Sequence, residues 1–131
     1  MHFLFNMIYG IGIDLVKIDR VRTAVHRWEE RFLKRVFTEK EISYCYEKKD
    51  PYLSLSVRFA AKEALIKAIG SDIPVSLTDI EVVNYGNGRP FINVMGKLKA
   101  FFVGKSITSI HLSLSHEREF GVACVVLETS P

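Results

Sequence analysis

Two cysteines, four prolines and one tryptophan in 131 residues remove several ways of holding a chain together. Cys45 and Cys124 lack any Cys-x-x-Cys spacing, so no disulfide framework is expected and both thiols are read as reduced. No apolar run reaches the roughly 18 residues that span a bilayer. The longest, Phe3 to Ile13, is cut by Asn6, Gly10 and Gly12 and has neither a cationic leader nor a small-residue cleavage site. No membrane contact or signal peptide is therefore expected, and the chain is read as cytoplasmic. Zinc-finger, homeodomain and RNP patterns are missing too, which argues against nucleic acid. Repeats and low-complexity tracts do not occur, and no stretch has the composition of a linker.

What is present fits one globular domain over residues 1–131, at 48% hydrophobic and 25% charged residues. Residues 1–6 read as a start-site extension, because Met7 is itself a candidate initiator. The net charge of +3 is unevenly placed. Between Lys17 and Lys40 eight basic residues face four acids, so this window carries +4 and the rest of the chain −1. A concentrated basic surface attracts a polyanion or an acidic protein; its simplest alternative is a solvated helix face of mixed charge.

Met7 to Ile13 reads as a buried strand leading to Asp14. Ile18, Val21, Val25 and Trp28 then recur at helical spacing. A further turn or helix passes through Phe32, Leu33 and Val36. Thr38 and Glu41 form a capping box that opens a helix ending before Asp50-Pro51. A long helix follows from about Tyr52 to Ile69, closed by Gly70. Its centre is rich in alanine (Ala60, Ala61, Ala64, Ala68) and suited to close packing. A β-hairpin is expected at 79–84 and 90–94 around Gly86-Asn87-Gly88, then a short helix at 96–104 and strands at 109–114 and 120–127. The order β-α-α-α-β-β-α-β-β gives an α+β fold, a largely antiparallel sheet packed against the alanine-rich helix.

Three places carry chemistry. Gly-Ile-Gly-Ile-Asp14 lacks the third glycine of a dinucleotide fingerprint, so that motif is rejected. Asp14 is then either the N-cap of the helix beginning near Lys17 or a functional carboxylate. In Arg58-Phe-Ala-Ala-Lys62-Glu63-Ala-Leu-Ile-Lys67, Glu63 and Lys67 are i, i+4 neighbours: an exposed ion pair, or groups with partners elsewhere. A carboxylate beside an amine suits a metal–phosphate site, Glu63 holding a hard cation while Lys67 neutralises phosphate oxygens. With Asp14 as a second acid, magnesium has enough protein ligands, since it keeps waters and takes substrate phosphates. Leu112-Ser-Leu-Ser-His116 alternates along a strand. Ser113 and Ser115 share one face and Leu112 and Leu114 the other, with His116 a surface histidine or a donor to a phosphate. No nucleophile elbow accompanies it.

In their order and spacing these segments resemble the holo-acyl-carrier-protein synthase family of 4′-phosphopantetheinyl transferases. The resemblance runs from Met7 to about Glu128, through Gly-Ile-Gly-Ile-Asp14, Arg58-Phe-Ala-Ala-Lys62-Glu63-Ala, Lys67-Ala-Ile-Gly70, Asp79-Ile-Glu81, Gly88-Arg89-Pro90 and Leu112-Ser-Leu-Ser-His116. It implies transfer of phosphopantetheine from coenzyme A to a serine of apo acyl carrier protein, leaving 3′,5′-ADP. It also implies magnesium on Asp14 and Glu63, with Lys67 near the pyrophosphate. Arg58, Lys62, Gly88, Arg89, Pro90 and His116 would line the coenzyme A cleft, and Glu63 is the expected base, directly or through a metal-bound water. Arg20 matches the arginine of the carrier-binding helix, and Arg27 and Arg31 are additions rather than motif matches. Short members of the family are similar to trimers with clefts between neighbouring subunits. Two positions depart: Lys17 stands where an acid is common, and Ser71-Asp72 where a Thr-Gly pair is common. The rival reading is a non-catalytic α+β module binding an anionic partner through residues 17–40.

Overall fold

The computed structural model describes residues 5–131, so most of the expected 1–6 extension lies outside the described residues. Strand β1 (Met7–Lys17) leads into α1 (Ile18–Trp28), α2 (Glu30–Val36), α3 (Glu39–Tyr46) and the long α4 (Pro51–Ile69). A 3-10 turn (Leu77–Asp79), the hairpin β2 (Ile80–Asn84) and β3 (Pro90–Val94), α5 (Gly96–Gly104), β4 (Ile107–His116) and β5 (Phe120–Thr129) complete the chain. Every pairing is antiparallel, but the strands form two sheets: β1-β5-β4 and the separate hairpin β2-β3. Among the described residues four α-helices, not three, precede the hairpin; the segment through Phe32 and Val36 is a helix in its own right. Glu29, at φ 47°, breaks the chain between α1 and α2.

Local chemistry sets the ends of the central helices. Asp50 accepts from the backbone N–H groups of Tyr52 and Leu53 at the start of α4, with Pro51 in its first turn. Gly70 closes it at φ 67°, where a side chain would be strained. At α3 the capping box is complete: Thr38 Oγ1 accepts from Glu41 N, and Glu41 Oε1 accepts from Thr38 N.

The glycine pair of β1 has a packing role. A Cβ on Gly10 would lie 1.8 Å from the Ala68 carbonyl oxygen, and one on Gly12 would lie 1.8 Å from that of Ala64. The strand therefore lies directly on the backbone of α4, along a surface cleared by alanines that are themselves buried. The core around it includes the inner face of the sheet (Ala123, Val125, Leu127), Leu55 and Leu65 of α4, Phe37, Val21 of α1, Val82 of the hairpin and Phe102 of α5.

That seating corrects the expectation of a fully buried first strand. Only its glycine-bearing face is covered. Ile11, Ile13 and Leu15 point the other way and are 60%, 61% and 65% exposed. In register with them stand Val126, Cys124 and Val122 of β5 and then His111, Ser113 and Ser115 of β4, so one whole face of the sheet is open and apolar at its β1 side. Cys45 is buried and Cys124 half-buried, and both are free thiols.

Candidate active site

Because β1 continues to Lys17, Asp14 is still a strand residue and caps nothing; the N-cap position of α1 is Lys17, without a side-chain hydrogen bond. Asp14 lies on the face of β1 that meets α4. Lys67 reaches across from α4 and donates to Asp14 Oδ1 at 2.9 Å and to the Ile13 carbonyl at 3.0 Å. Of the two alternatives for Glu63 and Lys67, the i, i+4 ion pair is not formed: the ammonium is on Asp14 instead. Among the described residues the Glu63 carboxylate has neither a hydrogen bond nor a salt bridge. It is half-buried, and burial raises its pKa above the usual carboxylate range. The Asp14 charge adds to that rise and Lys67 opposes it.

Asp14 and Glu63 line one open cleft of about 480 Å³ with Lys17, Arg20, Phe32 and Phe59. Arg20 of the basic helix therefore borders the same space as the two acids. Arg27 lies farther along α1 in an adjoining groove with Lys17, Asp19 and Trp28. Arg31 lines a third groove with Trp28, Phe32 and Arg35. All three arginines are exposed and none is salt-bridged among the described residues, whereas Arg22 of the same helix is tied to Asp19. The basic surface is thus continuous with the acidic pair.

The donor set of that pair decides which ion could sit there. Among the described residues no cluster of three or more His, Cys, Asp or Glu side chains occurs, so a soft or fully protein-caged metal does not fit. Two carboxylate groups in an open cleft, one of them without a partner, fit a hard cation that keeps waters and takes further oxygens from a substrate.

The other expected residues lie elsewhere on α4. Arg58 and Glu63 are five positions apart, about 140° around the helix axis. Arg58 is 3% exposed and lies over the Tyr44 ring. It donates to the Ser54 carbonyl and hydroxyl through Nη1 and to Asn84 Oδ1 at 2.7 Å through Nη2. Asn84 Nδ2 donates in turn to the Gly88 carbonyl at 2.9 Å. Arg58 is thereby joined to the hairpin loop bearing Gly88, Arg89 and Pro90, beneath it and not in an open cleft. Gly88 takes φ 87°, and Arg89 is exposed. His116, the last residue of β4, is exposed over a groove lined by Lys48, Leu53, Ser54 and Val57. Within one chain, Arg58 and the hairpin loop lie on a different flank of α4 from the acidic cleft, while His116 also borders a groove with Leu15, a residue that lines that cleft.

Lys62 corrects the sequence reading. Expected in the coenzyme A cleft, it is 0% exposed, and its ammonium donates to Val36 O, Glu41 Oε1 and Leu77 O at 2.7, 2.6 and 3.0 Å. All three N–H bonds are taken by the protein, so none is left for a ligand. Burial lowers its pKa, and the Glu41 charge opposes that fall. Glu41 also accepts from Val82 N, and Glu81 accepts from Thr38 Oγ1. This buried network and Asn84 escaped sequence reasoning. The capping box at Thr38 and Glu41 and the Asp79-Ile-Glu81 segment were the signals in its vicinity, and a helix cap ordinarily lies at the surface. Of the two departures, Lys17 borders the acidic cleft, while Ser71 and Asp72 are exposed just beyond α4.

Comparison with known proteins places this geometry among others like it. A profile of the 4′-phosphopantetheinyl transferase superfamily matches residues 10–125. The holo-acyl-carrier-protein synthase of Syntrophus aciditrophicus is 44% identical over 124 residues, covering 93% of this chain and 97% of that one. The synthase from Neisseria meningitidis superposes with a TM-score of 0.87 at 32% identity, over 94% of this chain and 100% of that one. The Bacillus anthracis synthase, in complex with coenzyme A (3′,5′-ADP), gives a TM-score of 0.76 at 38% identity, over 95% and 99% of the two chains.

Proposed function

This chain belongs to the 4′-phosphopantetheinyl transferase superfamily, and we propose that it transfers 4′-phosphopantetheine from coenzyme A to a serine of apo acyl carrier protein. The observation that carries this reading is the unpartnered, half-buried Glu63 carboxylate beside Asp14 and Lys67, in a cleft that opens onto the basic helix.

Asp14 and Glu63 are the residues that would hold magnesium, which when bound supplies charge neutralisation at the pyrophosphate. Lys67, already beside Asp14, neutralises phosphate oxygens from the α4 side. The serine oxygen of the carrier forms a bond to the phosphorus that bears pantetheine. The bridging P–O bond to the nucleotide half breaks, and 3′,5′-ADP leaves with that electron pair. Glu63, whose pKa is raised, is suited to take the serine proton, directly or through a water. Arg20 at the cleft, with Arg27 and Arg31 in the adjoining grooves, presents a positive surface complementary to an acidic carrier.

The nucleotide half of coenzyme A is assigned to the hairpin loop, with Gly88, Arg89 and Pro90, and to His116. A single chain holds the hairpin loop on another flank of α4 from the acidic cleft, and a cyclic trimer would join the cleft of one subunit to the hairpin of the next. The open face of Ile11, Ile13 and Leu15 supports that assembly, since a monomer rarely leaves such a face uncovered.

The test is intact-mass analysis of an apo acyl carrier protein incubated with this protein, coenzyme A and magnesium. A gain of one phosphopantetheine that disappears with EDTA is the expected result. No gain on any acidic carrier, together with no binding of coenzyme A, would overturn the transferase reading in favour of a non-catalytic module.

A further inference from the structure

We propose that Asn84 is a positioning residue for the nucleotide half-site, fixing the coenzyme A-binding loop to helix α4 through Arg58. The proposal rests on the assignment of the Gly88–Arg89–Pro90 loop to coenzyme A made above. Residues 85–89, between β2 and β3, are exposed and include Gly86 and Gly88, so the segment has much backbone freedom to lose on binding. Most of the loop's hydrogen bonds are internal. Tyr85 N donates to Arg89 O, Gly88 N to Tyr85 O, and Arg89 N to Asn87 Oδ1. Such bonds shape the loop without placing it on the protein.

The Asn84 amide does both. Its Nδ2 holds the Gly88 carbonyl, and its Oδ1 receives Arg58 Nη2. The orientation of the amide is fixed by chemistry, because a guanidinium can only donate and a carbonyl can only accept. Arg58 is in turn immobilised by Ser54 and by the Tyr44 ring. A line of contacts therefore runs from α4, the helix carrying Glu63, through Arg58 and Asn84 to the loop that presents Arg89. Arg58 lies under the loop at 3% exposure, so its part in binding is exerted through Asn84.

The experiment compares wild type, Asn84→Ala, Asn84→Asp and Arg89→Ala by calorimetric binding of coenzyme A and by KM for coenzyme A and for carrier separately. Asn84→Asp keeps the acceptor for Arg58 but replaces the donor to Gly88 O with a repelling oxygen. It thus detaches the loop while leaving the hairpin on α4. Both Asn84 variants are expected to weaken coenzyme A about three- to tenfold, with kcat and the carrier KM nearly unchanged. Weakening by Arg89→Ala alone, with both Asn84 variants like wild type, would overturn the positioning role and leave the half-site assignment standing. No weakening by Arg89→Ala or either Asn84 variant would overturn the assignment and the proposal together. An equal rise in both KM values with a lowered Tm would show Asn84 to be structural only, and would also overturn it.

Discussion

Lys62 and Glu63 are adjacent on one helix and differ in almost everything else. About 100° of rotation puts Lys62 among α2, α3 and the 3-10 turn, while Glu63 faces β1 and α1. Lys62 is fully buried and fully bonded; Glu63 is half-buried and bonded to nothing among the described residues. Burial moves both pKa values toward the neutral form, but for Lys62 it is opposed by a paired carboxylate and for Glu63 it is reinforced by a second acid. A charge with all its partners in the fold contributes to architecture. One left without a partner beside a like charge is poised for something outside the fold.

The comparison is broken most sharply by removing the Glu63 charge. Glu63→Gln keeps the shape and relieves repulsion with Asp14, so Tm should hold or rise while turnover falls about 10²- to 10⁴-fold. Stopped assays of carrier modification and thermal melts check both. Without magnesium, burial and the Asp14 charge hold the Glu63 carboxyl above the ordinary carboxylate range. A cation binds only the charged form, so calorimetric titration with magnesium should show binding weaken as pH falls through that raised pKa.

Lys62→Met should do the reverse. It strands Glu41, which is 1% exposed, and leaves the Val36 and Leu77 carbonyls without their donor, at a cost of about 3–5 kcal/mol in stability by denaturant unfolding. Adding Glu41→Gln removes the stranded charge yet keeps an acceptor for Val82 N, and part of the loss should return. In the folded fraction kcat should change far less than for Glu63→Gln. If instead Lys62→Met abolished turnover in a protein of near-native stability, the division between the two neighbours would be wrong. The smallest effect is at the rim. Arg20→Ala should raise the carrier KM about threefold, spare the KM for coenzyme A and flatten the dependence of association on salt.

Much of this division was legible in the sequence and some could not be. Capping residues and hydrophobic spacing marked α3, α4 and α5 closely, because those signals are local. Glu63 and Lys67 could be singled out as charges in need of partners, because they lie on an alanine-rich helix, and Asp14 as an acid following a glycine-bearing strand. Sequence alone could not tell which partner each charge would take. Lys67 chose Asp14, 53 positions away, over Glu63 four positions away, and Lys62 found Glu41 and two carbonyls through tertiary packing. The glycines of β1 were visible, but their purpose was not: they meet Ala64 and Ala68 only in the folded protein. For the same reason the isoleucines of that strand, read as buried, line an open face.

The proposed division of the site between the acidic cleft and a neighbour's hairpin loop is tested most directly by mixing subunits. Asp14→Asn removes an acid of the cleft and Arg89→Glu disables the hairpin loop, so each variant alone should be inactive. After subunit exchange of an equal mixture, random assembly of a cyclic trimer gives roughly a quarter of the sites both intact halves. Recovery of about a quarter of wild-type activity is the expected result. Activity that stays at the level of the separate variants, in a mixture shown to have exchanged subunits, would contradict a site completed between neighbours.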